Sequence, residues 1–409
     1  MGRLHLWLIA VAAIGPRLAV LLYERDDILT AFTDKSDDFA RTFVDHGTFG
    51  FIPGEPSAYT QPLYGFFLIP VYWIFGRAWW SVGGVQILVA TATAFLVYAI
   101  GARLISRRAG VFAAVVATLN PYLIWHDVHL NREILDQLLA AALVLCALIA
   151  ADRRSAGWAM AAGIYAGLAI LGNVRLVLLP VVIAFYLLFR NGWGWAPLAV
   201  VVAAGLVVTP WVVRNKMEVG CFALTTDGRA LWKANNAQTY DLLARGKWID
   251  DVHDPPGHPF PNPEEARDIY RQSGRKIHVD ECANQRYYQD RAWEFVREHP
   301  GEKAKLAAQA VRMEWDPRTT ASATDSGRGA IRDWAQPLYT SFLYLIGLVG
   351  IFVGPRRFVA LALAVLAYQT VAAMVFVGAT RYRVSTDFLI ALLGACALEW
   401  ALSRRRRST

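Results

Sequence analysis

The sequence predicts an all-α polytopic membrane protein, and three features support this fold class. Hydrophobic residues occupy 56% of the 409 positions, with 15 tryptophans among them, and the mean hydropathy is +0.32, which is too apolar for a soluble protein of this length. Apolar runs long enough to cross a bilayer recur along the chain. Short arginine clusters separate these runs, so the net charge of +8 is interpreted as a topology signal and nucleic acid is not an expected partner.

About ten apolar runs are predicted to span the lipid bilayer as helices. They cover residues 5–23, 80–104, 109–126, 134–151, 156–173, 175–189, 195–213, 337–354, 358–379 and 384–402. The first run is expected to be a retained helix rather than a removable signal peptide, because it lacks a small-residue cleavage site and is interrupted by Pro16 and Arg17.

The arginine clusters orient these spans. Loops at alternate ends carry Arg103, Arg107 and Arg108, then Arg153 and Arg154, Arg190, Arg356 and Arg357, and Arg404 to Arg407. By the positive-inside rule these loops and both termini are cytoplasmic. The short apolar run 62–76, broken by Pro70, would invert this pattern if it crossed. It is therefore predicted to form a re-entrant or interfacial hairpin on the outer side, anchored by Tyr72, Trp73, Trp79 and Trp80.

Three domains follow from this topology: an N-terminal transmembrane module (1–213) with a first outer loop (24–79), an extracytoplasmic domain (214–336), and a C-terminal transmembrane module (337–409). The middle domain is predicted to be small and mainly helical, with a break between two helices at Pro300 and Gly301. Residues near 321 have the composition of a flexible connector. Cys221 and Cys282 lie in this domain, so outside the cell they either form a disulfide or remain free.

Six arginines lie near the outer ends of the predicted spans, against the positive-inside bias. They are Arg17, Arg132, Arg175, Arg214, Arg381 and Arg383. Charged groups at this depth are costly and indicate function. Guanidinium groups bind phosphate oxygens through charge-assisted, bidentate hydrogen bonds, so the set suits a phosphate or pyrophosphate. The alternative is that each side chain reaches the lipid headgroups or pairs with a carboxylate such as Glu133 or Asp387.

The first outer loop supplies the complementary acids. Transfer of a group to a hydroxyl requires a base and neutralisation of the leaving phosphate. Asp34, Asp37 or Asp38 is a candidate for the base, with the arginines as the phosphate ligands. The alternative is that these acids have no catalytic role and are simply exposed to solvent.

The sequence also contains candidate metal ligands, but their pattern is less specific than that of the arginines and the acids of the first outer loop. His126, Asp127 and His129, with Glu133 one turn further on, have donor types that bind a divalent metal, although a polar interfacial cluster explains them as well. The adjacent pairs Asp26–Asp27 and Asp37–Asp38 are candidates for holding Mg²⁺ or Mn²⁺ against a phosphate. No P-loop or glycine-rich Rossmann turn is present in the sequence, so a sugar nucleotide is not the expected donor.

Five stretches carry a resemblance to a known family. They are "AYTQPLYGFFLIPVYWIFG", "LNPYLIWHDVHLNREILDQLL", "AGIYAGLAILGNVRLVLLP", "TPWVVRNKMEVGCFALTTDGRALWKANN" and "TRYRVSTDFLIALLG". Their order and placement resemble bacterial GT-C glycosyltransferases, in particular relatives of the dolichyl-phosphate-mannose protein mannosyltransferases (glycosyltransferase family 39) and of the aminoarabinose transferases. The resemblance covers about residues 50–400, apart from the interior of the outer domain.

The resemblance implies a bacterial inner-membrane enzyme that transfers a hexosyl or pentosyl group, with inversion, from a polyprenyl-phosphate donor to a glycan, lipid or protein acceptor on the extracytoplasmic face. Family members use an Asp of the first outer loop as base. Counting back from Gly47 and Ala40 favours Asp34, whereas alignment on Phe39 favours Asp37 or Asp38. Arg132 stands where the family often has a small hydroxyl residue before Glu133.

The family resemblance also implies roles for the binding residues. Arg175, Arg214, Arg381 and Arg383 would hold the lipid phosphate, and residues from Tyr59 to Gln61 would shape the sugar pocket. The alternative functions are a transporter or flippase of lipid-linked sugars and a non-catalytic scaffold. Transport requires charged groups accessible from both sides, whereas the interior charges here lie at the outer end only.

Overall fold

The computed structural model describes residues 2–31, 33–255, 258, 261–318 and 334–408, and this part of the chain is built from α-helices. The N-terminal helices are α1 (Gly2–Tyr23), α2 (Lys35–His46), α3 (Pro62–Phe75), α4 (Trp79–Leu104), α5 (Arg107–Thr118), α6 (Pro121–His126), α7 (Glu133–Arg153), α8 (Ala156–Gly172), α9 (Leu179–Asn191) and α10 (Trp195–Glu218). The middle helices are α11 (Gly228–Ala234), α12 (Thr239–Ala244), α13 (Pro263–Ser273), α14 (Glu281–Glu298) and α15 (Pro300–Trp315). The C-terminal helices are α16 (Gln336–Val353), α17 (Arg356–Val375), α18 (Thr380–Arg383) and α19 (Asp387–Ser408).

Seven helices in the described part of the chain are long and apolar enough to cross a membrane. They are α1, α4, α7, α9 with the 3-10 turn before it, α10, α16 and α17. The predicted all-α polytopic fold is therefore confirmed. The number of ten spans and the cytoplasmic position of both termini remain predictions.

The predicted span 109–126 is not one helix, because α5 ends at Thr118 and α6 begins at Pro121. The side chain of Asn120 accepts a hydrogen bond from the backbone N–H of Tyr122, which caps α6, and Pro121 occupies its first position. A proline lacks the N–H needed to continue a helix but is well suited to start one. The Asn-Pro pair thus separates two helices inside an apolar run.

The predicted hairpin at 62–76 is a single helix, α3, so that part of the prediction is wrong. Pro62 starts the helix, Pro70 is accommodated within it, and it ends at Gly76, whose φ of 74° favours glycine. Trp73 is exposed, as an interfacial anchor would be, whereas Tyr72 is buried. The helix packs against α2, α4 and α8, and its interfacial location remains a prediction.

Helices α11–α15 cover the same end of the bundle as the first loop. The backbone N–H of Thr226 donates to the carbonyl of Ala58 at 2.9 Å, and the Ala58 N–H donates to the Glu281 carboxylate at 3.0 Å. Cys221 and Cys282 form a disulfide, which settles the alternative that the sequence left open. Helices α14 and α15 are separated at His299, as the Pro-Gly pair predicts. The predicted connector near 321 lies outside the described residues.

A buried ion pair joins α1 to the segment after α6. Arg17 and Asp127 are each 1% exposed, and Nε and Nη2 of Arg17 donate to Oδ2 of Asp127 at 2.9 and 2.7 Å. Nη1 of Arg17 also donates to the carbonyls of Ala13 and Thr118. The guanidinium predicted to bind phosphate is thus enclosed with a carboxylate of the chain itself.

We expect the Arg17→Gln substitution to destabilise the protein by about 3–5 kcal/mol, because it leaves the Asp127 carboxylate buried without its partner. The double variant Arg17→Gln, Asp127→Asn should recover much of this loss, since it contains no buried charge at this position. Thermal unfolding in detergent measures both. A single variant as stable as the wild type would contradict a structural role for the pair.

Candidate active site

A cavity of about 360 Å³ lies between the helix bundle and the helices of the middle segment. Charged side chains line it from both sides: Asp34, Lys35, Arg132, Glu133 and Arg381 from the bundle, and Asp227, Arg229, Lys233, Asp250 and Glu264 from the middle segment. Tyr59, Gln61, Trp248 and Tyr382 complete its polar and aromatic lining. We call this space the charged cavity.

Asp34 is held by backbone contacts at one edge of the charged cavity. Its backbone N–H donates to the carbonyl of Leu130 at 3.1 Å, beside an isolated β-bridge between Thr33 and Leu130. One carboxylate oxygen, Oδ1, accepts from the N–H of Ser36 at 2.9 Å and caps α2. The other, Oδ2, lies 3.9 Å from Nε of Arg132. The N-cap geometry therefore fixes the side chain and leaves one oxygen for the cavity.

Arg132 lies immediately before α7 and is surrounded by acceptors. It donates to the side-chain oxygen of Gln61, and its Nε lies 3.9 Å from Asp34 and 4.0 Å from Glu133. Burial lowers the pKa of Arg132, but the negative charges of Asp34 and Glu133 outweigh burial and raise it. Arg132 therefore stays cationic, and neither carboxylate is close enough to hydrogen-bond its Nε.

Arg381 enters the same cavity from α18. Its guanidinium lies 5.4 Å from the centroid of the Trp248 ring, and its Nε is 3.9 Å from Glu133. That Nε is buried and has no hydrogen-bond partner. Burial opposes the charged form, yet Tyr382 and Glu133 raise the pKa of Arg381. Both Arg132 and Arg381 thus present incompletely satisfied positive charge to the cavity.

Two other arginines predicted to bind phosphate lie behind the cavity wall rather than in its lining. Arg175 stacks on the ring of Tyr382 at 3.8 Å and donates to the carbonyl of Val377 at 2.6 Å. Arg383 is fully buried, donates to the carbonyl of Glu314 at 2.8 Å, and pairs with Asp387 at 3.2 Å. Arg175 supports Tyr382 and Arg383 joins α15 to α19, so both are placed to hold the α18 segment in position.

The other two candidate bases make ion pairs away from the charged cavity. Asp37 is buried, accepts from the hydroxyl of Tyr72 at 2.6 Å, and takes two hydrogen bonds from Arg77, both at 2.8 Å. Asp38 accepts from Arg267 at 3.3 Å and from Arg271 at 2.5 Å on α13. Arg77 binds Asp37, whereas Arg267 and Arg271 bind Asp38. The two carboxylates are therefore not arranged to hold one metal cation between them.

The candidate metal ligands His126, Asp127 and His129 are also separately engaged. His126 stacks on Tyr122 at 3.8 Å, and Asp127 accepts from Arg17 as described above. Nδ1 of His129 lies 2.8 Å from the carbonyl of Trp125. Across the residues that the structure describes, no group of three or more His, Cys, Asp or Glu side chains is placed to hold a metal ion. A divalent cation therefore remains a prediction from sequence, and these residues do not fit one.

Sequence reasoning missed the wall formed by the middle segment. Lys35 lies 3.3 Å from both Asp227 and Glu264. Burial lowers the pKa of Lys35, but these carboxylates raise it further than burial lowers it. The hydroxyl of Tyr59, whose pKa burial and the same two acids raise, donates to Glu264 at 3.4 Å. Part of this wall lies in the stretch "TTDGRALWKANN", which belongs to one of the five stretches that carry the family resemblance.

Arg214 lies outside the charged cavity. It lines a separate apolar groove between α3, α8 and α10, and its Nη1 donates to the carbonyl of Ser57 at 2.9 Å. The arginines predicted to converge on one phosphate are therefore divided among the cavity, its supporting wall, the groove and the Arg17–Asp127 pair.

Comparison with known proteins gives one family match. The family described as dolichyl-phosphate-mannose-protein mannosyltransferase matches residues 56–213. No curated protein matches the chain. The matched segment includes Tyr59, Gln61, Arg132 and Glu133 of the charged cavity.

Two solved structures of an archaeal oligosaccharyltransferase share the fold of this chain. The archaeal oligosaccharyltransferase AglB from Archaeoglobus fulgidus, solved with an inhibitory peptide and a dolichol-phosphate, superposes with a TM-score of 0.56 at 13% identity, covering 98% of this chain and 50% of AglB. The apo form of the oligosaccharyltransferase from the same organism also gives a TM-score of 0.56 at 13% identity, covering 98% of this chain and 51% of its own. ArnT from Cupriavidus metallidurans, bound to undecaprenyl phosphate, gives 0.42 at 17% identity, covering 96% of this chain and 78% of ArnT.

The chain spans about half the length of AglB. The family match over residues 56–213 and the shared fold make the chain similar to GT-C glycosyltransferases. The resemblance expected from sequence is confirmed at that level.

The different surroundings of Asp34 and Asp37 predict different effects on stability. Asp37→Asn should destabilise the protein by about 2 kcal/mol, because it removes the charge that Arg77 and Tyr72 bind. Asp34→Asn should change stability little, since Asn caps helices as well as Asp does. Thermal unfolding of the two variants, side by side, checks this. Equal loss in both would contradict this difference, because it would show that the charge of Asp34 stabilises the fold as much as the charge of Asp37 does.

Proposed function

We propose that the protein is an integral membrane glycosyltransferase that moves a sugar from a polyprenyl-phosphate donor to an acceptor hydroxyl, with inversion, on the extracytoplasmic face. The observation that carries this proposal is the placement of one oxygen of Asp34 in a cavity that also contains Arg132 and Arg381. A base beside two incompletely paired cations suits the combination of proton removal and phosphate departure.

In the proposed reaction, the acceptor oxygen forms a bond to the anomeric carbon as the bond from that carbon to the phosphate oxygen breaks. The acceptor proton passes to Oδ2 of Asp34. The electron pair of the broken bond leaves with the polyprenyl phosphate, whose charge Arg132 and Arg381 neutralise. Attack opposite the leaving group gives inversion in a single displacement.

The sugar would occupy the space between Asp34 and the two arginines. Gln61, which binds Arg132, and Tyr59, which binds Glu264, offer polar groups for sugar hydroxyls. Trp248, 5.4 Å from the Arg381 guanidinium, adds an aromatic surface. These side chains support a hexosyl or pentosyl group as the transferred unit.

We expect Asp34→Asn to lower kcat by about 10²- to 10⁴-fold, the usual contribution of a general base, while donor binding is retained. The assay is release of polyprenyl phosphate from a radiolabelled polyprenyl-phosphate sugar in the presence of acceptor. Asp38→Asn is the matched control, because Asp38 faces α13 rather than the cavity, and it should retain activity close to wild type. Wild-type turnover by Asp34→Asn would rule out this base.

Arg381→Gln should lower kcat/KM for the donor by about 10- to 100-fold, since a hydrogen bond to a charged group contributes about 1.5–3 kcal/mol. Arg381→Lys should recover part of the loss, because lysine restores the positive charge but not the planar guanidinium that forms two hydrogen bonds to a phosphate. Arg271→Gln, at an exposed side chain of α13, serves as the control. Unchanged donor kinetics in Arg381→Gln would place the phosphate elsewhere.

A further inference from the structure

The apolar groove lies at the same end of the bundle as the charged cavity and has a volume of about 590 Å³. Its walls are aromatic and aliphatic and include Phe49, Phe66, Leu171 and Trp211. The ring of Trp211 packs edge-on against those of Phe49 and Phe66, with centroids 5.6 and 5.8 Å apart. In the described residues, none lines both the groove and the charged cavity.

The groove lies beside apolar side chains that the fold leaves exposed. It runs along α10, one of the helices long enough to span, and apolar side chains beside it are exposed, including Leu206 at 69% and Phe66 at 43%. In a bilayer these positions face lipid chains. A space with apolar walls at this depth takes a hydrocarbon chain, because a polar ligand would lose its hydration there without compensation.

One positive charge lies at the rim of the groove. Arg214 donates to the carbonyls of Ser57 and Phe49 and to the side-chain oxygen of Asn215, and its guanidinium lies 4.9 Å from the Trp211 ring. All of these partners are neutral. In the described part of the chain, no carboxylate lies within 4.0 Å of its nitrogens. Glu218, which also lines the groove, and Glu281 act on this charge at longer range, so the Arg214 charge is only partly compensated and can bind an anionic group.

One short segment of the chain lies between the rim of the groove and the charged cavity. Pro56 lines the groove, whereas Tyr59 and Gln61 line the cavity, and Arg214 binds the intervening Ser57. A donor lipid in the groove would place its phosphate at Arg214, on the far side of this segment from Arg132 and Arg381. The groove therefore suits the second substrate rather than the donor.

We propose that the acceptor is an amphiphilic lipid whose chains occupy the apolar groove, whose anionic headgroup binds Arg214, and whose hydroxyl extends past residues 56–61 to Asp34. This inference rests on the proposed glycosyl transfer and assigns the class of its acceptor: a membrane lipid rather than a soluble glycan or a protein. The sugar–phosphate bond breaks and the sugar–oxygen bond forms as described above, with the proton taken by Asp34.

The test uses the purified full chain in nanodiscs made from a total lipid extract of the source cells, with a radiolabelled polyprenyl-phosphate sugar. We expect a new labelled product that partitions into chloroform. Pro210→Trp, which fills the groove from an exposed position on α10, should lower product formation at least about 10-fold while donor binding is unchanged. Val213→Trp, on the same helix but outside the groove lining, should behave as wild type.

The charge at the rim is tested in the same nanodiscs with increasing proportions of the lipid extract in neutral lipid. Arg214→Gln should raise the apparent KM for extract lipid at least about 10-fold, with Arg214→Lys intermediate. Label that appears only in a water-soluble product, or wild-type rates in Pro210→Trp, would overturn the lipid acceptor. Absence of any donor consumption by the wild type, with lipid, peptide or glycan acceptors, would instead overturn the proposed glycosyl transfer.

Discussion

The charged cavity depends on one set of ion contacts, in which Arg132 lies beside Asp34 and Glu133, and Arg381 lies beside Glu133. These four side chains come from the loop before α2, the start of α7, and α18, so the contacts join parts of the chain that are distant in sequence. Burying a charge costs several kcal/mol unless it is compensated, which makes separation of these parts unfavourable. The separations of 3.9–4.0 Å are too long for strong hydrogen bonds. An arriving phosphate would therefore find donors that the protein has positioned but left partly unsatisfied.

The outer arginines illustrate how one residue type serves different purposes according to its surroundings. Arg17 and Arg383 are completely buried and donate to carbonyl oxygens as well as to a carboxylate. All the nitrogens of Arg17 are thereby satisfied, whereas Nη2 of Arg383 has no hydrogen-bond partner. Arg175 is buried against Tyr382 and supports the segment that carries Arg381. Arg132, Arg381 and Arg214 retain charge that their neighbours do not fully compensate, and these three lie in the cavity or the groove. Arg175 also has two buried nitrogens, Nε and Nη1, without a hydrogen-bond partner. Position in the lining of the cavity or the groove therefore separates the three arginines proposed to bind a ligand from the structural ones.

Sequence patterns predicted the helical membrane fold because long apolar runs have few alternatives in a bilayer. They misjudged local features that depend on one or two residues: Asn120 and Pro121 divide an apolar run into two helices, and Pro70 does not turn α3 into a hairpin. Choosing among Asp34, Asp37 and Asp38 was beyond the sequence, because the partners that distinguish them lie far along the chain. Arg77 engages Asp37, and Arg267 and Arg271 engage Asp38, from segments whose proximity only the tertiary structure establishes.

The most direct test of this account is an experimental structure of the protein with a polyprenyl phosphate bound. We expect a phosphate within hydrogen-bonding distance of both Arg132 and Arg381, with Oδ2 of Asp34 facing the space where the sugar would be attached. A phosphate bound instead at Arg214 in the apolar groove, with no density in the charged cavity, would contradict it.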